Sequence, residues 1–306
     1  MTTIGELGEF GLIARLTRGL PLGPDVALGP GDDAAVVAAP DGRVVATCDL
    51  LVEDRHFRRD WSPPYDIGRK AAAQNLADVA AMGARPTALL VGLAAPAATE
   101  AAWVQRLYDG LADECARAGA SVVGGDVVAA EAITLAVTAL GDLAGRPPLT
   151  RSGARPGDLV AVRGRLGLSS AGLELLRRGE DEPAELVRAH RRPSPPYEAG
   201  AEARAAGATA LLDVSDGLVQ DLGHVAEASG VRIEIDSTAV PVPEILGPGG
   251  LRHALTGGED HAFAGTFPPG ARPPAGWTVI GRVAEGAGVV VDGRPYGPGG
   301  WDHYRG

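Results

Sequence analysis

The sequence predicts an α/β (α+β) protein built as two domains. Three observations lead there. Short β-rich runs alternate with helix-length runs along the whole chain. A length of 306 residues suits two domains of ordinary size better than one. Residues 141–157, rich in Gly, Pro and Arg, interrupt the alternation near the middle and read as a domain connection. The expected domains are therefore 1–145 and 146–306.

Taken in order, residues 34–38 and 44–48 are short β-rich runs on either side of a Pro40-Asp41-Gly42 turn. Residues 66–82 read as a helix, with Asp66 as N-cap and Gly83 as C-cap. A second helix, 101–118, stops at Gly119. Residues 121–123 form a buried strand that runs into Gly124-Gly125-Asp126, and 133–140 form another. Beyond the connection, 158–163 is a strand, 169–178 a helix and 193–196 a proline-rich loop. Residues 209–214 are a strand that turns through Ser215-Asp216-Gly217 into a helix ending near Gly230, followed by a strand at 231–235. Residues 251–263 hold a second glycine–acid cluster, and the Gly/Pro-rich tail reads as mostly irregular.

Composition excludes several function classes. The net charge of -11 argues against general nucleic-acid binding, which needs a basic face to release counterions. An acidic protein still binds anionic phosphates when divalent cations lie between the two. Two cysteines, Cys48 and Cys115, are too few for a disulfide framework or a Cys-built zinc site. The first ten residues carry two Glu and no basic segment, unlike a signal peptide. The longest apolar stretch, 86–99, is broken by Pro96 and falls short of the roughly 20 residues a membrane span needs. A cytoplasmic protein with no membrane or nucleic-acid partner is expected.

Chemistry concentrates in aspartates beside glycines and at strand ends: Gly31-Asp32-Asp33, Cys48-Asp49, Asn75-Leu76-Ala77-Asp78, Gly124-Gly125-Asp126 and Asp213-Val214-Ser215-Asp216. Their flanks are small or apolar, which implies partly buried carboxylates. Such groups must be paired, hydrogen-bonded or metal-bound. Any one of them is accounted for by the frequency of Asp at turns and caps. Five together favour hard divalent cations, since Mg²⁺ takes one or two carboxylates plus water and phosphate oxygens. Asp213-x-x-Asp216 also places a carboxylate at a helix N-terminus, where backbone N–H groups attract phosphate.

Missing motifs narrow the class. No Walker-type loop is present, and Lys70, the only lysine, does not follow a Gly-rich loop. The protein-kinase, zincin and hydrolase-elbow signatures are also absent. What remains is a carboxylate-rich, multi-metal site built without an active-site lysine.

The ordered motifs resemble the thiamine-monophosphate kinase family. They comprise Gly5-Glu6-Leu7-Gly8-Glu9-Phe10, Gly31-Asp32-Asp33-Ala34-Ala35, Leu51-Val52-Glu53 with His56-Phe57, and Asn75 through Gly83. Gly124-Gly125-Asp126, Thr150-Arg151-Ser152-Gly153-Ala154, Asp213 through Leu218, Gly257-Gly258-Glu259-Asp260 and Trp301-Asp302-His303 follow in order. The resemblance implies the fold shared with aminoimidazole-ribonucleotide synthetase, with N-terminal domains pairing in a homodimer. It implies ATP as co-substrate, several Mg²⁺ ions, and thiamine monophosphate as the acceptor made into thiamine diphosphate.

Carried over by position, Asp33, Thr47, Asp49, Asp78, Asp126, Asp213 and Asp216 are the implied metal ligands. Tyr108, Gly125, Asp126, Arg151 and Ser215 are implied to contact ATP, and His56, Glu259 and Trp301 the thiamine phosphate. Tyr108 lies mid-helix, where an aromatic also serves as core. The chain departs from the family at Cys48 and Leu50, where Thr is usual, and at His261-Ala262, where Tyr and an acid are more common. A thiol is a poor Mg²⁺ ligand, so a contact at Cys48 would use main chain. The alternatives are another ATP-dependent enzyme of the same fold or a non-catalytic nucleotide-binding regulator. Selenophosphate synthetase, one such enzyme, carries an N-terminal Cys or selenocysteine, and residues 1–47 contain none.

Overall fold

The computed structural model describes residues 2–30 and 34–296. The chain divides into two compact units: residues 1–79 with 84–146, and residues 80–83 with 147–306.

The first unit contains α1 (Ile4–Thr17), β1 (Val26–Leu28), β2 (Val36–Val37), β3 (Val45–Val52), α2 (Pro64–Ala81), β4 (Arg85–Ala95), α3 (Ala101–Ala118), β5 (Ser121–Ala129) and β6 (Thr134–Asp142). Its four-stranded sheet has the order β3-β6-β4-β5. Strand β6 pairs antiparallel with β3 and β4, whereas β4 and β5 run parallel. A parallel pair needs a crossover, which α3 supplies. Leu51, Val91, Leu93, Leu135 and Val137 are buried on the face that carries α2 and α3. Fully burying each such side chain stabilises the unit by about 1.5–3 kcal/mol. The opposite face is open: Cys48, Leu50, Leu90 and Val128 are exposed there.

Helices α2 and α3 approach closely because glycines face each backbone. A Cβ on Gly68 would lie 2.0 Å from the Leu107 carbonyl oxygen, and one on Gly110 would lie 2.1 Å from that of Tyr65. Glu114 on α3 is fully buried, and Arg69 of α2 and Arg117 both donate to its carboxylate. A carboxylate at this depth requires such partners.

The second unit contains β7 (Leu159–Arg163), α4 (Leu168–Arg178), α5 (Ala184–Arg191), α6 (Glu198–Ala205), β8 (Ala210–Val214), α7 (Leu218–Ser229), β9 (Arg232–Ile235), α8 (Gly250–Thr256), β10 (Ala262–Phe267), β11 (Trp277–Ala284), β12 (Gly288–Val291) and β13 (Arg294–Pro295). These strands form one sheet in the order β13-β12-β9-β11-β7-β10-β8. Its core includes Val160, Val162, Leu212, Leu222, Ile233 and Ile280.

Several local expectations need correction. Helix α2 begins at Pro64, so Asp66 lies in its first turn and is not the cap; proline fits the first helical position, where no N–H partner is needed. Helix α1 carries no clean apolar stripe and gives little periodic signal, yet Thr3 and Glu6 cap it reciprocally. The apolar stretch after Pro86 is the central strand β4. The tail is not mostly irregular through residue 295: β11 turns Trp277, Ile280 and Val283 inward and joins the sheet between β7 and β9.

Candidate functional site

In the first unit, β3 and α2 bring the expected polar residues together. Alternate β3 residues Thr47, Asp49 and Leu51 face the helix. Two strand residues and four helix residues both advance about 6 Å, so the two ladders stay in step. Accordingly, Thr47 Oγ1 donates to Asp78 Oδ2 (2.9 Å), and Gln74 Nε2 donates to Asp49 Oδ2 (3.1 Å). The Asp49 N–H donates to Asn75 Oδ1 (3.0 Å), and Asn75 is itself anchored to the Ala71 carbonyl. The sequence motifs alone give Gln74 and Asn75 no role in the site. Their spacing from Asp78 along one helix is the signal that would have found them.

His56 follows the end of β3. Its Nδ1 accepts the Val52 N–H (3.0 Å), and its carbonyl accepts from Lys70 Nζ (3.2 Å). With Nδ1 accepting, the proton of the neutral ring sits on Nε2, which makes that nitrogen a donor. Tyr108 is buried on α3, and burial pushes its phenol above the ordinary range. Gly125 sits where a Cβ would fall 1.9 Å from the Val91 carbonyl oxygen, so only glycine fits.

Asp126 stands apart from this group. The row Asp49–Val137–Val91–Gly125 crosses the whole sheet, so Asp49 and Gly125 are three strand spacings apart, about 14 Å. The next row is Leu50–Ala136–Gly92–Asp126 and belongs to the open face. Within one chain the first unit therefore gathers Thr47, Asp49 and Asp78 but not Asp126.

In the second unit, β8 ends in Asp213-Val214 and turns through Ser215-Asp216-Gly217 into α7. Asp221 in the first helical turn accepts the N–H groups of Asp216 and Gly217 through Oδ2, both at 3.0 Å. Burial and the nearby Asp213 charge push its carboxyl up to about 7. Asp213 is buried, and its Oδ2 lies 3.0 Å from His261 Nδ1. The departure at His261 thus places an imidazole against an implied metal ligand. Ala262 opens β10 opposite Val214.

Glu259 is tied to the same turn: its N–H donates to the Ser215 carbonyl (2.7 Å). The half-buried Asp260 accepts the N–H groups of Gly167 (2.5 Å) and Ser169 (2.9 Å) at the start of α4. Arg151 is exposed, and its carbonyl accepts from Ser229. The second unit thus gathers Asp213, Ser215, Asp216 and Glu259 around one strand–turn–helix. Asp33 and Trp301 lie outside the described residues. Among the described residues, no three His, Cys, Asp or Glu side chains are placed to hold a metal ion by themselves.

This pairing of units has known counterparts. Residues 31–143 match the AIR synthase related protein, N-terminal domain, and residues 155–266 match its C-terminal domain. The class is therefore the two-domain AIR synthase related fold. A thiamine-monophosphate kinase of Mycobacterium tuberculosis (strain CDC 1551 / Oshkosh) is 51% identical over 312 residues, covering 99% of this chain and 93% of its own. The crystal structure of thiamine-monophosphate kinase from Stenotrophomonas maltophilia K279a is 34% identical with a TM-score of 0.82, covering 93% of this chain and 95% of its own. The structure of AaThiL complexed with AMPPCP and TMP is 38% identical with a TM-score of 0.81, covering 99% of both chains. The chain belongs to the thiamine-monophosphate kinase family.

Proposed function

We propose that this protein transfers the terminal phosphoryl group of ATP to thiamine monophosphate, giving thiamine diphosphate, with Mg²⁺ as the metal. The observation that carries the reading is the full-length kinship with thiamine-monophosphate kinases, one of them 51% identical. The two carboxylate clusters, formed without a Walker lysine, agree with it.

The donor set fits a hard divalent cation. Thr47, Asp49 and Asp78 offer oxygen alone, and among the described residues no Lys or Arg lies within ion-pair distance of Asp49. Mg²⁺ needs only one or two protein carboxylates when phosphate and water complete its shell. Asp49 and Asp78 would hold the ion in the first unit, and the family's motif pattern adds Asp33 to that set. Asp213 and Asp216 serve in the second. Bound Mg²⁺ supplies charge neutralisation at the phosphates.

The chain's own groups then bind and orient. Thr47 aims the Asp78 carboxylate, and Gln74 and Asn75 fix Asp49. His56 Nε2–H suits an acceptor phosphate oxygen. Gly125 gives close backbone approach to the nucleotide, with Tyr108 in the helix behind it. Ser215 and Arg151 donate to ATP phosphates. Glu259 and Trp301 meet the acceptor's cationic ring. An acceptor phosphate monoester has its second pKa near about 6 and is mostly a dianion at neutral pH. It attacks in line without a general base, and no phosphoenzyme forms.

The working form in this reading is a cytoplasmic homodimer. Among the described residues, no helix is long and apolar enough to cross a membrane. The open sheet face, with Leu50, Leu90 and Val128 exposed, is an apolar surface for a second copy. Asp126 shares that face, so a second copy is where it would meet further ligands. The discriminating experiment offers thiamine monophosphate and free thiamine as acceptors with Mg·ATP. Only the monophosphate should turn over, and equal use of free thiamine would overturn the acceptor assignment.

A further inference from the structure

Beside the Ser215 turn, Glu259 is backed by a buried histidine that the proposed mechanism does not use. His190, at the end of α5, is 5% exposed, and its Nδ1 lies 3.3 Å from Glu259 Oε2 and 3.1 Å from Ser169 Oγ. Glu259 is 34% exposed, so its carboxylate has one oxygen against a buried ring while the rest of the group reaches the surface.

Everything around this contact is fixed. Glu259 has a φ of 62°, an unfavourable region for a non-glycine residue. Its N–H bond to Ser215 and the two bonds from the α4 N-terminus to Asp260 hold it there. Ser169 joins both sides, giving its N–H to Asp260 and accepting from His190 Nδ1 through its hydroxyl oxygen, so that the Nδ1–H is shared between Ser169 and Glu259. Helix α5 reaches this position because α4 carries Gly172, where a Cβ would fall 2.1 Å from the Leu186 carbonyl oxygen.

We propose that His190 is a positioning residue for acceptor recognition: its Nδ1–H orients the Glu259 carboxylate toward the cationic heteroaromatic ring of the acceptor. A ring nitrogen facing a carboxylate carries its proton on that side, in either charge state. The bond restricts a flexible Glu to one rotamer before the acceptor arrives, which lowers the ordering cost of binding. This inference rests on the reading that Glu259 meets the acceptor.

The test is steady-state kinetics on His190→Leu, His190→Asn, His190→Gln and Glu259→Gln, with acceptor and ATP varied separately. An Asn amide places a donor near the Nδ1 position, whereas a Gln amide places it near Nε2. His190→Leu should raise the acceptor KM about tenfold and leave the ATP KM within about twofold. His190→Asn should restore most of the loss, and His190→Gln should not. Equal loss in the Asn and Gln variants, or a parallel rise in the ATP KM, would mean that His190 is only structural. If the Leu variant fails to fold, the contrast between Asn and Gln decides. An unchanged acceptor KM in Glu259→Gln removes Glu259 from the acceptor site and overturns the inference at its base. A raised acceptor KM in Glu259→Gln beside an unchanged one in His190→Leu overturns the positioning role alone.

Discussion

Thr47→Val tests how the metal-facing carboxylate is held. The substitution keeps the β-branched shape on β3 and removes the hydroxyl that donates to Asp78 Oδ2 at 2.9 Å. A hydrogen bond to a charged acceptor contributes about 1.5–3 kcal/mol. If that energy is needed to keep Asp78 aimed at the metal, kcat/KM falls by about one to two orders of magnitude. Thr47→Ser keeps the donor and should retain most of the activity. The assay is thiamine diphosphate formation at several Mg²⁺ concentrations, with folding checked by circular dichroism. Thr47→Val should also need more Mg²⁺ for half-maximal rate. A folded Thr47→Val enzyme within about twofold of the parent at every Mg²⁺ concentration would refute the argument.

Other perturbations probe packing, titration and assembly. Gly68→Ala forces a Cβ to 2.0 Å from a backbone oxygen, and overpacking of this kind costs about 1–3 kcal/mol or more. Gly223→Ala, in α7 with open space at the Cβ position, gains about 1 kcal/mol of helix propensity. Urea midpoints should therefore move in opposite directions, and two equal shifts would contradict the packing account. The Asp221 carboxyl rises from 3.8 to about 7, so between those pH values the folded state holds more protons than the unfolded state. Its contribution to stability thus falls as pH rises through that window, by up to a few kcal/mol. Asp221→Asn can still accept both N–H groups, and in EDTA it should raise the melting temperature more at pH 8 than at pH 5. A uniform shift would dismiss the titration. Leu50→Arg on the open sheet face should turn a dimer into monomers by light scattering, and a parent that is already monomeric at micromolar concentration would remove the dimer from the proposal.

The sequence exposes some of this site and hides the rest for physical reasons. Carboxylates at strand ends are visible because glycine and small residues mark the places where backbone turns or approaches closely. Asp213 and Asp216 could be singled out on that basis, whereas Asp49 lies inside β3, which extends four residues beyond its expected 44–48 run, and Asp78 inside α2. Their partners are harder to see. The Thr47–Asp78 bond depends on a strand and a helix advancing in step, which no local pattern records. His190 meets Glu259 only because Gly172 lets α5 approach α4, a three-element coincidence. Asp126 looked equivalent to the other aspartates, yet strand order puts it on the far edge and the opposite face from Asp49. The late strands β11–β13 were obscured by the Gly and Pro around them, although Trp277, Ile280 and Val283 point inward. Helix α1 announces itself by its capping box and not by periodicity.

The most direct test of the proposed activity follows the phosphoryl group itself. ATP labelled at its terminal phosphate is incubated with the protein, Mg²⁺ and thiamine monophosphate, and the products are separated. The label should appear in thiamine diphosphate in step with ADP release. Without the acceptor there should be no ATP–ADP exchange and no labelled protein. Label recovered only as inorganic phosphate, or held on the protein before acceptor is added, would contradict direct transfer.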